Sequence, residues 1–431
     1  MLINFSVENF RSISERQSLI LEASSDAHLR YNNVIEAPAN YQLLKSAVLY
    51  GANASGKSNI LNAINWMRRF VLESLSKRVE QAGVSVETNR LREDQRDGAS
   101  VFELEFLVRE QEERFRYGFA VSRSGVEEEW LFRKRARGPE ACIFEREGQN
   151  ISPNSRQEKG LELLVSRTRP NALFLKVCAE FNSKFAEQIM DWFRNLRFLS
   201  GLDEINYSDY ALTITMEDKK KQKELLQYIQ KADFNIRDVE MKDEPFDVKK
   251  IPYYMPTYMK KDLLGERIIE VKIKTSHTIY SSEGMPVGTE KLDLKDDESK
   301  GTCKFVAIAS LVLNVIKEGS ILVIDEFEAR LHPNLTKAIL KWFHGPQNDK
   351  GAQLIIATHD TGLMIPDILR RDQIWFCEKD GKGSTSLYCL DEFNKQDVRA
   401  TTKFNRQYLE GIFGAVPQVA LDEFSVSHDS V

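Results

Sequence analysis

The chain switches several times between two hydrophobic periods, and the switches outline its organisation. Leu2 to Val7 reads as a strand, and Leu19 to Leu21 starts another. Ala47 to Tyr50 is a short apolar strand running straight into a glycine-rich loop, and from Ser58 the residues Ile60, Leu61, Ile64, Met67 and Val71 recur at helical spacing. Period two returns at Phe102, Leu104, Phe106 and Val108, then at Phe115, Tyr117, Phe119 and Val121. After a turn at Arg123-Ser124-Gly125 it runs on from Val126 to Phe132, which predicts a meander of three antiparallel strands. A linker around Ser152 to Ser155 follows, and then Phe181, Phe185, Ile189, Trp192 and Leu196 share one face of a predicted helix. Tyr210, Leu212, Ile214 and Met216 alternate as a strand, and Lys219 to Lys231 reads as a helix. Residues 233–265 are polar and hold Pro245, Pro252 and Pro256, which predicts loop, before Ile269, Val271, Ile273 and Thr275 resume a strand.

The last third has a different pattern. A helix from about Lys304 to Lys317 leads into the apolar run Ile321 to Ile324, a second helix covers about Leu335 to Phe343, and Gln353 to Thr358 forms another apolar run. Continuous apolar strands alternating with helices predict an α/β fold with a parallel sheet covered on both faces. The longest apolar stretch, Phe305 to Ile316, is too short for a membrane helix, which needs about 20 residues. No internal repeat or long heptad run is present, which excludes a long coiled-coil arm.

Composition narrows the picture further. The 431 residues are 42% hydrophobic and 29% charged, the balance of a globular protein with room for more than one domain. Lys and Arg number 60 against 65 Asp and Glu, a net charge of −5, which argues against a strongly basic nucleic-acid clamp but leaves room for a local patch. Arg133 to Arg137, Lys219 to Lys223 and Lys260-Lys261 are each either a solvated face or a contact for DNA or RNA backbone. Five scattered cysteines without a CxxC pair, and an N-terminus without a secretory pattern, point to a reducing cytoplasmic setting.

Chemistry concentrates in four places. Gly51 to Ser58 is GxxxxGKS between an apolar strand and a helix. Its backbone N–H groups can wrap a phosphate, with Asn53, Ala54, Ser55, Gly56 and Asn59 around it, Lys57 reaching the β/γ-phosphates and Ser58 ligating Mg²⁺. Ile321 to Ile324 ends in Asp325-Glu326, carboxylates at the ligand-binding end of a buried strand. Asp325 is the expected Mg²⁺ partner through water, and Glu326 the base that orients an attacking water. His359 follows the next buried strand and is expected to donate to the γ-phosphate. Glu298-Ser299-Lys300-Gly301-Thr302 precedes a helix and is either a cap or a second phosphate turn, using Ser299 and Gly301. Two such turns meet one γ-phosphate most readily in a homodimer.

In order and spacing these segments resemble the ABC-type ATPase heads of SMC, RecF and overcoming-lysogenisation-defect (OLD) proteins. Asn9-Phe10-Arg11-Ser12-Ile13 resembles that group's N-terminal motif, ESKGT its signature motif, and Glu328 to Pro333 its D-loop, which crosses the dimer interface. Arg406 to Pro417 and Asn171 to Asn182 are similar to segments of the prokaryotic RloA-like (AbiL-like) ATPases, with Septu and PARIS defence ATPases more distant. The resemblance implies an ABC-type P-loop head split into an N-terminal lobe (residues 1–150) and a C-terminal lobe (291–431) around an α/β insertion (151–290) that offers a partner surface. It also implies a homodimer or higher oligomer around ATP and Mg²⁺, with Arg11 at the nucleotide. In many relatives the ATPase is paired with a nuclease in anti-phage defence. The chain ends shortly after Pro417, so a Toprim-like or HNH-like effector is expected to be separately encoded. The alternative is a RecF-like or SMC-like DNA-repair ATPase that binds DNA directly.

Overall fold

The computed structural model describes all residues except 77–78, 80–82, 109–111, 137, 202–211, 213–214, 233, 246–268, 395–402 and 418–431. The described residues form two compact units. The first comprises Met1–Gly201, Gly319–Phe327 and Leu340–Val431, and the second Leu202–Glu318 and Glu328–Ile339.

The first unit is layered. One layer is an antiparallel sheet of seven strands in the order Asn150–Pro153, Ala141–Glu147, Gly125–Lys134, Glu113–Ser122, Ser100–Val108, Leu2–Glu8, Gln17–Ile20. The predicted meander is its centre, in the register Phe102↔Phe119 and Tyr117↔Leu131. The other layer is a six-stranded sheet in the order Leu196–Ser200, Ile321–Asp325, Gln353–Ala357, Ser46–Tyr50, Ile374–Lys379, Thr385–Cys389. Its first five strands are parallel and the last is an antiparallel edge.

The helix Lys57–Glu73 contributes to the core these layers share. Ile60, Leu61, Ile64, Met67 and Val71, the residues at helical spacing, are all buried. Trp66 stacks on Phe102 with ring centroids 4.7 Å apart, and Phe70 meets Phe119 edge to face at 5.5 Å. Such aromatic pairs add about 0.5–1.5 kcal/mol each beyond the area they bury.

Several expectations are revised. The single helix expected from Phe181 to Leu196 is two helices, Phe174–Glu180 and Lys184–Arg194, with Phe181 half-exposed at the break. Leu196 instead opens a parallel strand. Residues 151–200 pack into the first unit's core through Leu161, Phe174, Ile189 and Phe193, so the compact units divide at Gly201 rather than near residue 150.

The second unit holds the helix Lys219–Lys231, the antiparallel strands Asp238–Pro245, Ile269–Tyr280 and Pro286–Asp293, and the helix Lys300–Glu318. Asp238–Pro245 lies in the expected loop and is instead a strand paired with Ile269–Ser276. Leu212 and residues 215–217 are helical where alternation predicted a strand. Leu212 and Met216, both buried, are four residues apart and share a helix face equally well. Tyr210, Ile214 and Lys260-Lys261 lie outside the described residues.

Candidate phosphate-binding site

Parallel strands bring their carboxyl ends to one edge, and the candidate chemistry gathers there. Ser46–Tyr50 ends at Gly51, and the chain becomes helical again at Lys57. The intervening loop has left-handed backbone at Ala54 (φ 62°) and Gly56 (φ 107°). Glycine is required at 56, because a Cβ there would lie 2.1 Å from Thr385 Oγ1. The buried Lys57 side chain folds back on the loop, donating from Nζ to the carbonyls of Gly51 (2.8 Å) and Ala52 (3.0 Å). The buried Ser55 Oγ has no hydrogen-bond partner, an orphan in a loop otherwise tightly bonded.

Ile321–Asp325 lies one strand further, beyond Gln353–Ala357. Asp325 is in register with Ser200. Glu326 has left-handed backbone (φ 49°), and its N–H donates to Asp325 Oδ1 at 3.1 Å. Such backbone costs about 1–3 kcal/mol and collects at functional sites. Gly201 explains how it is held. The Gly201 N–H donates to the Asp325 carbonyl at 2.7 Å, and a Cβ on Gly201 would meet the Glu326 carbonyl at 2.0 Å. His359, exposed, follows Gln353–Ala357, and Thr358 N–H donates to Leu49 O at 3.1 Å, tying that turn to the phosphate-loop strand.

A cavity of about 520 Å³ unites these groups. It is lined by Asn53, Ala54, Ser55, Gly56, Lys57, Ser58 and Asn59, by Asp325 and Glu326, by Ala357, Thr358 and His359, and by Lys379. Lys379 was not anticipated. It closes the strand Ile374–Lys379, four apolar residues followed by charge, the same signature that exposed Asp325-Glu326. Arg11 does not line the cavity. Its guanidinium pairs with Glu87 at 2.8 Å and lies over the Phe10 ring.

Ser299 and Gly301 belong to the second unit. Ser299 Oγ accepts from Thr302 N at 3.1 Å, the helix-cap geometry. A Cβ on Gly301 would lie 3.2 Å from Arg330 O, and Lys304 Nζ donates to Ala329 O, so the signature-like turn and the D-loop-like segment pack together. Glu298 is held by His277 and Thr275, both at 2.6 Å. Of the basic clusters, Arg133 and Arg135 are engaged by Glu158 (2.7 Å) and Glu113 (3.2 Å).

The segment Arg406 to Pro417 supports the site's edge. Tyr408 stacks on Phe376 at 5.5 Å and Phe413 on Phe376 at 5.6 Å, while Tyr388 donates to Phe413 O at 2.7 Å. Burial pushes the Tyr408 phenol up to about 12, against the opposing effect of the Gly51 N–H, and burial pushes the Cys377 thiol beneath the loop up to about 12. Both stay neutral at physiological pH, so neither adds negative charge where phosphate would sit.

The donor set fits a phosphorylated ligand with Mg²⁺: an orphaned hydroxyl, a wrapped loop, the Ser58 hydroxyl, and the Asp325 carboxylate, which suits an ion that keeps several waters. Glycine-rich loop, acid-ended parallel strand and following histidine, set on a mixed sheet beside an antiparallel one, make the fold an ABC-type P-loop head. The chain belongs to the family described as "AAA domain, putative AbiEii toxin, Type IV TA system", whose profile matches residues 46–365. No curated protein matches the sequence significantly. Similar solved structures include the SMC head domain from Thermotoga maritima (14% identity, 90% of this chain, 98% of that chain, TM-score 0.43). Another is the SmcHead bound to the C-winged helix domain of ScpA (13%, 90%, 97%, 0.45). A third is the recombination mediator protein RecF with ATP in the RecFOR pathway (14%, 90%, 99%, 0.33). No helix among the described residues is long and apolar enough to cross a membrane.

Proposed function

We propose that the chain is an ATPase that binds ATP in this cavity, closes as a homodimer around it, and controls a separately encoded effector, a nuclease, in prokaryotic anti-phage defence. The observation that carries the reading is the convergence of Lys57, Ser58, Asp325, Glu326 and His359 on one cavity, from segments far apart in the sequence. Asn53 to Asn59 hold the phosphates. Lys57 leaves its loop carbonyls for the β/γ-phosphates, an exchange of one set of oxygen partners for a charged one. Ser58 and Asp325 would hold Mg²⁺, which when bound neutralises phosphate charge. Glu326 takes the proton of the attacking water, and His359 donates to the γ-phosphate.

Ser299 and Gly301 of a second copy complete the γ-phosphate contacts, and Arg11 turns from Glu87 to the nucleotide. The second unit carries the partner surface. The left-handed backbone of Glu326 supports its role, since strain of this kind is retained where it positions a reacting group.

Lys57→Ala is expected to abolish binding of a fluorescent ATP analogue, and Glu326→Gln to trap an ATP-bound dimer visible by light scattering. Wild-type hydrolysis by Glu326→Gln would show the base assignment to be wrong. For the effector, a phage challenge compares cells carrying the gene with its neighbours, cells carrying it alone, and cells carrying the Lys57→Ala variant. Protection needing both a neighbour and Lys57 supports the defence reading. Strong stimulation of ATP hydrolysis by duplex DNA with the isolated chain, weakening as salt rises, would favour direct action in DNA repair instead.

A further inference from the structure

At the phosphate loop, three segments far apart in sequence are joined by one chain of hydrogen bonds. Asn59 Nδ2 donates to Ser12 Oγ at 2.6 Å, Ser12 Oγ lies 2.8 Å from Thr385 Oγ1, and Thr385 Oγ1 donates to Ser55 O at 2.9 Å. Its direction is fixed at both ends, because an amide nitrogen only donates and a carbonyl oxygen only accepts. Thr385 spends its one proton on Ser55 O, so Ser12 donates to Thr385 and receives from Asn59. The backbone braces the middle link, with Thr385 N–H donating to Ser12 O at 2.8 Å. Ser12, Ser55 and Thr385 are all buried, so water does not compete for these bonds.

We propose that Thr385 and Ser12 are positioning residues that set the orientation of the Ser55–Gly56 peptide for the phosphates of the bound nucleotide. The inference rests on the nucleotide reading above and adds two residues to it. A trans peptide is planar, with its C=O and N–H pointing in opposite directions, and no peptide among the described residues is cis. Pinning Ser55 O to Thr385 therefore directs the Gly56 N–H away from Thr385. Gly56 lines the cavity and Thr385 does not, so that N–H faces the ligand side.

The pin is needed because of Gly56 itself. A peptide next to a glycine flips at low cost, since glycine accepts both signs of φ. A flipped peptide would aim a carbonyl, not an N–H, at phosphate. Ser55 Oγ has no partner and does not hold the loop, so the carbonyl contact with Thr385 carries the restraint. The arrangement holds a donor aimed at anionic oxygens before the ligand arrives, which spares reorganisation on binding.

The test measures the dissociation constant of a fluorescent ATP analogue with Mg²⁺ for the full chain, alongside the thermal midpoint of the ligand-free protein. Thr385→Val removes the hydroxyl at nearly constant volume and is expected to weaken binding about tenfold. Thr385→Ser, which restores the hydroxyl, is expected to bind within about twofold of wild type, with both ligand-free midpoints agreeing within about 3 °C. Ser12→Ala breaks the chain one link upstream and is expected to weaken binding about threefold. Because the two act in series, Ser12→Ala with Thr385→Val is expected to bind no more weakly than Thr385→Val alone. Wild-type affinity in Thr385→Val, or additive losses in the double variant, would overturn the proposal. If Thr385→Val does not fold, wild-type affinity in Ser12→Ala would overturn it. Absence of binding by the wild-type chain would overturn the nucleotide reading, and the proposal with it, whereas wild-type binding beside an unaffected Thr385→Val overturns the proposal alone.

Discussion

Glu129→Ala should be among the most destabilising single changes in the first unit, and its cost follows from the groups it strands. The Glu129 side chain has no exposed surface. Its carboxylate accepts from Tyr117 OH at 2.9 Å, Phe174 N at 2.6 Å and Leu175 N at 3.0 Å, and Arg146, equally buried, lies 3.6 Å away. Phe174 and Leu175 open the helix Phe174–Glu180, so one acid on the antiparallel sheet anchors the start of the segment Asn171 to Asn182. Alanine leaves three donors unpaired and a guanidinium uncompensated. Removing one partner of a buried pair costs about 3–5 kcal/mol. Arg146 retains the carbonyls of Ala172 and Gly148, both at 2.7 Å, which keeps the expected loss near the middle of that range, about 4 kcal/mol. Glu129→Gln keeps the shape and one acceptor oxygen, and is expected to lose about half as much. Urea unfolding followed by tryptophan fluorescence reads this selectively, because all five tryptophans (Trp66, Trp130, Trp192, Trp342 and Trp375) lie in the first unit. A loss below about 1 kcal/mol for Glu129→Ala, or equal losses for the two variants, would refute the assignment of Glu129 as the anchor.

Two further outcomes follow from the same geometry. Burial, with Lys45 adding to it, pushes the His344 imidazole down to about 3 from an ordinary value of 6.5, with Ser46 Oγ at 2.9 Å and Gln373 Nε2 at 3.5 Å as its other polar neighbours. Below pH 6.5 the unfolded chain takes a proton that the folded one refuses, so stability is full above 6.5 and falls as pH drops toward 3. The contribution is about 1.4 kcal/mol per pH unit, or about 2 kcal/mol by pH 5. Denaturation midpoints across pH 5–8 check this, and an unchanged acid slope in His344→Asn would contradict it. Gly201→Ala must move the Glu326 carbonyl, since the new Cβ would start 2.0 Å from it. ATP turnover is expected to drop about 100-fold while nucleotide affinity holds. Loss of affinity without loss of turnover would mean that Gly201 does not serve Glu326.

What could be read from the sequence follows the range of the interactions involved. The phosphate loop and the acid-ended strand are local patterns, a run of apolar residues and then a chemical group at its end, so the sequence alone singles out Lys57, Ser58, Asp325, Glu326 and His359 as candidates, and the structure lines one cavity with them. The same rule would have flagged Lys379 after Ile374 to Cys377. Asp238–Pro245 escaped because a strand so rich in acids and ending in proline has little strand propensity of its own, and its ladder with Ile269–Ser276 supplies what the residues lack. The helix break at Phe181 escaped because the apolar spacing runs across it, while Asn182 takes left-handed backbone (φ 60°) and Ser183 starts the next helix.

Positioning residues form the other class, and there the physics explains why they were invisible. Gly201 matters only because parallel pairing sets Leu196–Ser200 beside Ile321–Asp325, which brings its Cα against the backbone of Asp325 and Glu326. Ser12 and Thr385 stand 373 positions apart, and each alone is an ordinary hydroxyl in a turn or strand. Their significance appears when the strand Thr385–Cys389 pairs with Ile374–Lys379, itself paired with the phosphate-loop strand. A group that reacts must be chemically distinctive, and so leaves a mark in the sequence. A group that holds it in place need only be small, hydroxylic or lacking a Cβ, and becomes recognisable once the chain has brought it within hydrogen-bonding distance. Substitutions at Gly201, Ser12 and Thr385 should therefore alter turnover or affinity while leaving every recognisable motif of the chain intact.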